Sequence, residues 1–498
     1  MTNAKIRSFS AKGSKIFALF VLTTSLSLNS GNCAEPTPID HAGLMSIGLE
    51  GGLSAEGDYV LSENITLGTF GELSSAAAYI DSTFRGTLDG GGYTIENLDR
   101  PLFYKIEGNV GGEGADKVSD YAEVRNLILI TSGLGISSSD SGVKARGVLA
   151  NDITFTKLID IQVEGLLKVE NMGAFDNDFA SIGGLVGSAT NSYVTNCDVE
   201  VEVFAPEMIK VGGLIGSATA TNILDSSATG DVYGTRQVGG LVGVLGNSTI
   251  TYSSATGDVI ASNEGDGSVN PDEIVGGLVG RAAYSSITGS VAEGDVTGRT
   301  DVGGLVGMMD HSVVINTKVS NASVVTGISR VGGFVGYSMY DEISGSESAA
   351  TVVGSDLGTT GSFIGVQILS EVKKSFSIEK SELNLSGKSR ESIVTDSYSF
   401  KIADNEKFEQ LISFIREAIS ENLIQSFLLD PKTDVPLESR VGKPLSLKII
   451  GDFSDDLGIY LRTPEGEWIF LGQLELKDGQ LILPTLSFDA SGTYSIKI

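Results

Sequence analysis

The sequence predicts an all-β fold: a right-handed parallel β-helix with a short capping helix and a small C-terminal antiparallel β-sandwich. Three observations carry the prediction. An aliphatic residue followed by Gly-Gly-Leu/Phe-Val/Ile-Gly recurs at Ile182–Gly187, Val211–Gly216, Val238–Gly243, Val275–Gly280, Val302–Gly307 and Val331–Gly336. A second block starts eleven residues after each first glycine. In its first copy Cys197, Val199, Val201 and Val203 alternate with Asp198, Glu200 and Glu202, the period of a strand with one dry face. No helical pattern lies between the blocks.

The first glycines of these copies and of a worn seventh, Gly361–Gly365, are spaced by 29, 27, 37, 27, 29 and 29 residues. A fixed period in this range marks a solenoid, whose coils bury their faces only by stacking. The long interval is an ordinary 27 carrying ten extra residues near Asn263–Glu273, a Gly/Asp/Asn/Pro loop insertion. Stacking predicts continuous rows of structural glycines: Gly183 and Gly184, Gly212 and Gly213, Gly239 and Gly240, Gly276 and Gly277, Gly303 and Gly304, Gly332 and Gly333. It also predicts inward rows Ser226/Ala228/Gly230/Val232, Ser253/Ala255/Gly257/Val259 and Ser290/Ala292/Gly294/Val296. Gly147–Ala150 reads as a decayed hexapeptide ahead of the first full one.

The Gly-Gly-Leu-Val-Gly runs, with Ser227–Val232 and Ser254–Val259 after them, resemble the GLUG repeat family of secreted bacterial proteins. The segments Gly57–Leu61 and Phe84–Leu98 look like the lead-in strands of such repeats. Family members include haemagglutinin-like surface proteins and parts of immunoglobulin-cleaving metallopeptidases. The repeat is not the catalytic part of those peptidases, so the resemblance implies a scaffold rather than a reaction.

Taken in order, residues 1–34 read as a secretory signal. Lys5, Arg7, Lys12 and Lys15 precede the apolar run from Ile16, and Asn32-Cys33-Ala34 offers a cleavage site. A lipid anchor on Cys33 is disfavoured because Asn32 stands before it. Residues 35–105 are expected to hold an N-terminal cap with a small helix and the first strands; 106–402 form the β-helix, with Val124–Ile130 a buried strand. Over 403–430, Phe408, Leu411, Ile412, Ile415, Ile419 and Leu423 share one helical face behind Asp404, a helix expected to cover the last coil. In 431–498, alternating runs such as Gly458–Arg462, Glu467–Gly472 and Thr493–Ile498 read as a small immunoglobulin-like sandwich.

The net charge of −29 argues against nucleic-acid and anionic-lipid partners. Once residues 1–34 are removed, Cys197 is the only thiol, and an internal disulfide is impossible. It shares a column with Ser226, Ser253, Ser290, Thr317 and Ser346, which marks a small buried side chain rather than a reactive thiol. The two histidines, His41 and His311, lie in no H-E-x-x-H run, so the zinc site of the peptidase relatives has no counterpart. His311 reads as an exposed turn residue.

The carboxylates do form a pattern. Glu202, Asp231, Asp258 and Asp295 fall in one outward column, with Asp198, Glu200 and Glu293 beside it. Neighbours ~4.8 Å apart repel by about 0.9 kcal/mol in water, so something must offset the column. Hydrogen bonds from the Gly-Asp turns are the first reading and a calcium ladder on the four acids the second. The function expected is therefore an exported, acidic, non-catalytic surface scaffold or spacer, secreted or at the cell surface, with retention in the periplasm an open alternative. Its partners would be a host or neighbouring-cell surface, a matrix protein or a glycan; no cofactor is called for. The alternative is a β-helix polysaccharide lyase or hydrolase, which would need three acids within ~9 Å in a groove with aromatic walls.

Overall fold

The computed structural model describes residues 35–401, apart from 69–76, 111–117, 139–144, 170–179, 207, 262–272, 321–322, 380–385, 391–392 and 396–397. Beyond 401 it describes six strands, Pro436–Leu437, Gly458–Arg462, Trp468–Gln473, Glu475–Lys477, Gln480–Ile482 and Tyr494–Lys497. From Pro36 onward the chain is one unit.

One coil shows the path. Lys210–Gly212 runs in a first sheet, turns at Gly213-Leu214, and continues as Ile215–Thr219 in a second. The chain bends again and crosses a third sheet in three short segments, Asn222–Leu224, Ser227–Ala228 and Val232–Gly234, before Gln237–Gly239 re-enters the first. Among the described residues every pairing between coils is parallel, and in register apart from shifts at Ile80/Thr83 and Ile130/Thr131 near the N-terminal end. Gly183, Gly212, Gly239, Gly276, Gly303, Gly332 and Gly361 lie in one row, as the repeat predicts. The molecule is a parallel β-helix.

The hexapeptide forms the corner between the first two sheets. Its aliphatic residues, such as Val211, Leu214 and Ile215, are fully buried. Its glycines are there because backbones touch. A Cβ on Gly239 would stand 2.1 Å from the Val242 carbonyl oxygen and 2.6 Å from the Gly280 nitrogen. On Gly240 it would stand 2.1 Å from the Gly277 oxygen and 2.8 Å from Ala255 Cβ, so the second glycine packs directly against a side chain of the third sheet.

Two further corners bend through the left-handed region. The first column comprises Phe155, Asn191, Ala220, Asn247, Tyr284, His311, Tyr340 and Leu369; the second comprises Asp160, Asn196, Asp225, Tyr252, Asn316 and Lys374, with Gly289 and Gly345. That conformation costs an ordinary L-residue about 1 kcal/mol. Except for Ile161, which follows Asp160, the residue after each bend is a buried hydrogen-bonding side chain. In the second column the Cys197 N–H donates to Ser226 Oγ, Ser226 N–H to Ser253 Oγ, and Ser253 N–H to Ser290 Oγ, each at 3.2 Å. Each hydroxyl also donates to the carbonyl two residues back, as Ser226 Oγ does to Leu224 at 2.9 Å. Thr221, Ser248, Ser285 and Ser312 repeat the arrangement along the first column. Cys197 sits in this ladder, and burial first of all pushes its thiol up to about 12, leaving it protonated and inert.

The core changes along the stack. One inward column of the second sheet runs Ala189, Ala218, Leu245, Ala282, Met309, then Ser338 and Gln367. One of the third runs Val199, Ala228, Ala255, Ala292, Val319, then Ser348 and Ser377. Ser362 follows Gly361 where earlier coils carry the second glycine, and its hydroxyl meets that of Ser377 at 2.6 Å. Along these two columns the filling turns from hydrocarbon to hydroxyl and amide in the coils of Ser338 and Gln367, while Phe334, Phe363, Ile364 and Val372 keep hydrocarbon beside them.

The ends agree with the sequence in part. Thr37–Ile39 already pairs with Tyr59–Leu61, so stacking starts at the first described strand. The small helix is His41–Ser46, capped by Asp40, whose Oδ1 accepts the Gly43 N–H at 2.8 Å. Ala122–Thr131 contains the expected strand, but Asn126 bends it and only one face is buried. Arg146 pairs with Ile182, which aligns Gly147 with Gly183 as its decayed hexapeptide implies. The insertion interrupts no register: Val259 still pairs with Val296, and Ile274 with Gln237. The second and third sheets continue through Ser386–Arg390, Ile393–Thr395 and Tyr398–Lys401, where the repeat has faded from the sequence.

The signal peptide over 1–34 and the capping helix over 403–430 lie outside the described residues. In 431–498 the strands are antiparallel, ordered Pro436–Leu437, Tyr494–Lys497, Gly458–Arg462, Trp468–Gln473, with Glu475–Lys477 and Gln480–Ile482 as a separate pair. Whether a second layer completes a sandwich lies outside the described residues.

Gly239→Ala is expected to destabilise the chain by about 3 kcal/mol, because its methyl meets backbone that cannot yield. Gly246→Ala is the control: its nearest neighbour would be the Ala218 oxygen at 3.9 Å. Denaturant midpoints of the two variants should separate clearly; equal midpoints would contradict the backbone-contact account.

Candidate functional site

The acidic column exists. Val203, Val232, Val259 and Val296 pair in sequence, which stacks Glu202, Asp231, Asp258 and Asp295 immediately before them. The aspartates hold the gap between two segments of the third sheet. Asp231 Oδ1 accepts the Asp258 N–H at 2.8 Å, Asp258 Oδ1 the Asp295 N–H at 2.9 Å, and Asp295 Oδ1 the Val324 N–H at 2.7 Å. Charge-assisted bonds of this kind are worth about 1.5–3 kcal/mol, more than the repulsion between neighbours. These are the turn hydrogen bonds of the first reading. Beside the column, Ser227 Oγ donates to Asp198 Oδ1 at 2.7 Å. The field is nonetheless felt: burial first, and then the charges of Asp231, Glu202 and Asp258, hold the Tyr233 phenol above its usual range. Among the described residues no group of three or more His, Cys, Asp or Glu side chains gathers as a metal site.

A second feature is an aromatic ridge on the first left-handed corner. Tyr284, His311 and Tyr340 occupy consecutive coils, with ring centroids 4.9 Å and 4.7 Å apart and near-parallel planes. His311 is exposed, as its sequence context predicts, and its Nδ1 lies 2.6 Å from Asp310 Oδ1. Its stacking between two tyrosines went unread, although each of the three residues stands just before a ladder residue. A sugar stacks on a free ring face. Here the inner faces are taken by neighbouring rings, which leaves mainly edges to solvent.

One ladder position departs from the hydroxyl rule. Asp341 is almost fully buried, and its carboxylate accepts the N–H groups of Ser312 and Met339, each at 2.8 Å, and the Ser338 hydroxyl at 2.7 Å. Burial outweighs these bonds, and with the charge of Asp310 it pushes the carboxyl up to about 7. Cations concentrate elsewhere. Lys210, Arg281 and Arg330 lie on the first two sheets, and Arg330 pairs with Asp301 at 2.7 Å and covers the Tyr337 ring. His41 is in the short N-terminal helix, far along the chain from this corner.

The GLUG motif matches residues 210–233, 234–260 and 273–297, the coils in which the glycine corner and the aspartate column are best formed. The chain carries GLUG repeats. No curated protein sequence matches it. Among solved structures it is similar to an IgA1 protease, at 17% identity and a TM-score of 0.34, over 66% of this chain and 20% of that one. It is also similar to a Bacteroides ovatus protein assigned provisionally as an immunoglobulin A1 protease, at 12% identity and a TM-score of 0.28, over 72% and 80% of the two chains. The GLUG protein thus spans a fifth of the first and most of the second, and likenesses this loose carry no argument about activity. No helix among its described residues is long and apolar enough to cross a membrane.

Two outcomes are expected from the acids. Asp258→Ala should destabilise the GLUG coils by about 1–2 kcal/mol, because the Asp295 N–H loses its acceptor. Asp258→Asn keeps an oxygen acceptor and removes a charge, so its melting temperature at low salt should equal or exceed the parent's. For Asp341, a carboxyl raised in the folded state adds stability that is full below about pH 4 and lost as the pH rises. The loss is complete above about 7. Melting curves from pH 5 to 8 should therefore fall more steeply for the parent than for Asp341→Ser, and parallel curves would refute the assignment.

Proposed function

We propose that this GLUG protein is an exported, non-catalytic extended surface that presents an acidic face for contact with cells, matrix proteins or glycans. One observation carries the reading: outward functional groups are used between coils rather than brought to a centre. The aspartates of the third sheet hold the N–H groups of the next coil. The exposed rings of the corner stack on one another. The hydroxyls that might have served as nucleophiles lie buried in ladders, without a base. A stack built this way offers a repeated surface, and contact spread over many coils suits weak, multivalent attachment. The GLUG motif and the sequence of residues 1–34 support export, to the cell surface or beyond it.

Fractionation of cells expressing the full chain, with and without residues 441–498, should place the protein outside the cytoplasm in both cases. Purified protein should bind an immobilised cell, matrix or glycan surface in a salt-dependent way, and neutralising Glu202, Asp231, Asp258 and Asp295 together should reduce that binding. A cytoplasmic location, or turnover of a polysaccharide or protein by the purified chain, would overturn the proposal.

A further inference from the structure

The two left-handed corners enclose the first segment of the third sheet, and two rings beside that segment keep open surface. Tyr252, at the second corner, is 64% exposed, and among the described residues no other ring packs on it. The next residue of its column is Gly289, at φ +61°, where a Cβ would stand 2.6 Å from both Cδ1 and Cε1 of Tyr252. The glycine clears the space in which that ring lies. Tyr284, at the first corner of the following coil, is 60% exposed. It stacks on His311 on one side only, because the preceding residue of its column is Asn247, which has no ring.

Between the two tyrosines runs a strip of hydroxyls. Thr249–Thr251 and Ser286–Thr288 pair in register, with Ile250 and Ile287 buried on the inner face. Thr249, Thr251, Ser286 and Thr288 therefore stand on the outer face, each half-buried, with ~4.8 Å between coils and ~6.6 Å along each strand. The Thr249 hydroxyl donates to Asn222 Oδ1 at 2.7 Å, and those of the other three have no hydrogen-bond partner among the described residues. The strip is three extended residues wide, about 10 Å. Residues 247–252 and 284–289 include no charged side chain, although the net charge of the chain is −29.

We propose that Tyr252 and Tyr284, with the hydroxyl strip between them, bind a neutral glycan chain, one sugar ring against each tyrosine. The chemistry of the strip selects that ligand. A pyranose has an apolar C–H face and a rim of hydroxyls; the site offers ring surface to the first and uncharged donors and acceptors to the second. An anionic glycan would meet the field of an acidic chain, and a basic peptide would find its charges answered at the aspartate column rather than here. The inference rests on the surface-contact reading above and names one partner of that surface, at a place separate from the acids. A shallow contact of two rings predicts weak binding, on the order of 10⁻³ M for a single site.

Calorimetric titration of the full chain with soluble oligosaccharides of glucose, mannose, galactose and N-acetylglucosamine tests this, with oligogalacturonate as the anionic probe. At least one neutral chain should bind saturably and independently of salt, and oligogalacturonate should not. Tyr252→Asn and Tyr284→Asn should each weaken binding about tenfold. Both should keep the parent's melting temperature, since Asn247 and Asn316 already occupy these columns. Tyr252→Phe should retain binding, and Tyr340→Asn, on the ridge but off the strip, should leave it unchanged. The variant neutral at Glu202, Asp231, Asp258 and Asp295 should bind the oligosaccharide as the parent does; loss there would assign the glycan to the acidic face and overturn the site. No saturable binding of any neutral chain at about 10 mM, or full binding by both asparagine variants, would also overturn it, while salt-dependent attachment through the acids would still stand.

Discussion

Backbone contact between the first two sheets is the constraint on which the remaining architecture depends. Only a residue without Cβ lets the Gly239 backbone approach the Val242 carbonyl and the Gly280 nitrogen as it does. This draws the two sheets into a corner too tight to hold a side chain. The second glycine then leaves room for a small side chain, which Ala228, Ala255 and Ala292, or Val199 and Val319, supply from the third sheet. The Gly-Gly and Ser-Ala blocks are two halves of one contact, although eleven or more residues separate them in sequence. A side chain added at Gly239 or Gly240 is felt in its own coil and in the next.

The corner leaves a difficulty elsewhere in each turn. Two left-handed bends and a gap at the Gly-Asp step interrupt the ladder of the third sheet, and each interruption orphans backbone groups. Side chains fill the vacancies: hydroxyls after the bends, carboxylates at the gap. Ser226, Ser253 and Ser290 answer the first need, Asp231 and Asp258 the second. Charge in the acidic column is thus incidental to its architectural task. An asparagine would meet the same need, so the choice of aspartate adds solubility and negative field rather than cohesion.

Much of this was legible. The hexapeptide fixes the period, and the alternation from Cys197 to Val203 fixes which face is dry, because identical positions must superpose when coils stack. The acidic column followed from the same superposition. The bends were harder to see. Asn191, Asn196, Asp225, Asn247 and Asn316 are residues that tolerate positive φ, but Tyr284, Tyr340 and Tyr252 stand in equivalent positions with no such preference. At the three tyrosines the stack overrides local propensity, whereas His311 is itself a residue that tolerates positive φ. The serines read simply as small inward residues, because the hydrogen bonds they accept join residues 27 or more positions apart. The last coils lost their sequence signature before their structure, since pairing survives where Ser386 and Lys388 follow Ile364 and Val366.

Two core columns that turn to hydroxyl and amide near the C-terminal end of the described stack give it a direction. Parting two coils bound by hydrocarbon exposes greasy surface, whereas Ser338, Gln367, Ser348 and Ser377 exchange one hydrogen-bond partner for another when water enters. Under tension or heat the stack would therefore peel from that end, one turn at a time, while the glycine-cornered coils before it held. A molecule of this kind behaves as a strap with a built-in weak link, and where a load is attached along it decides how much it bears.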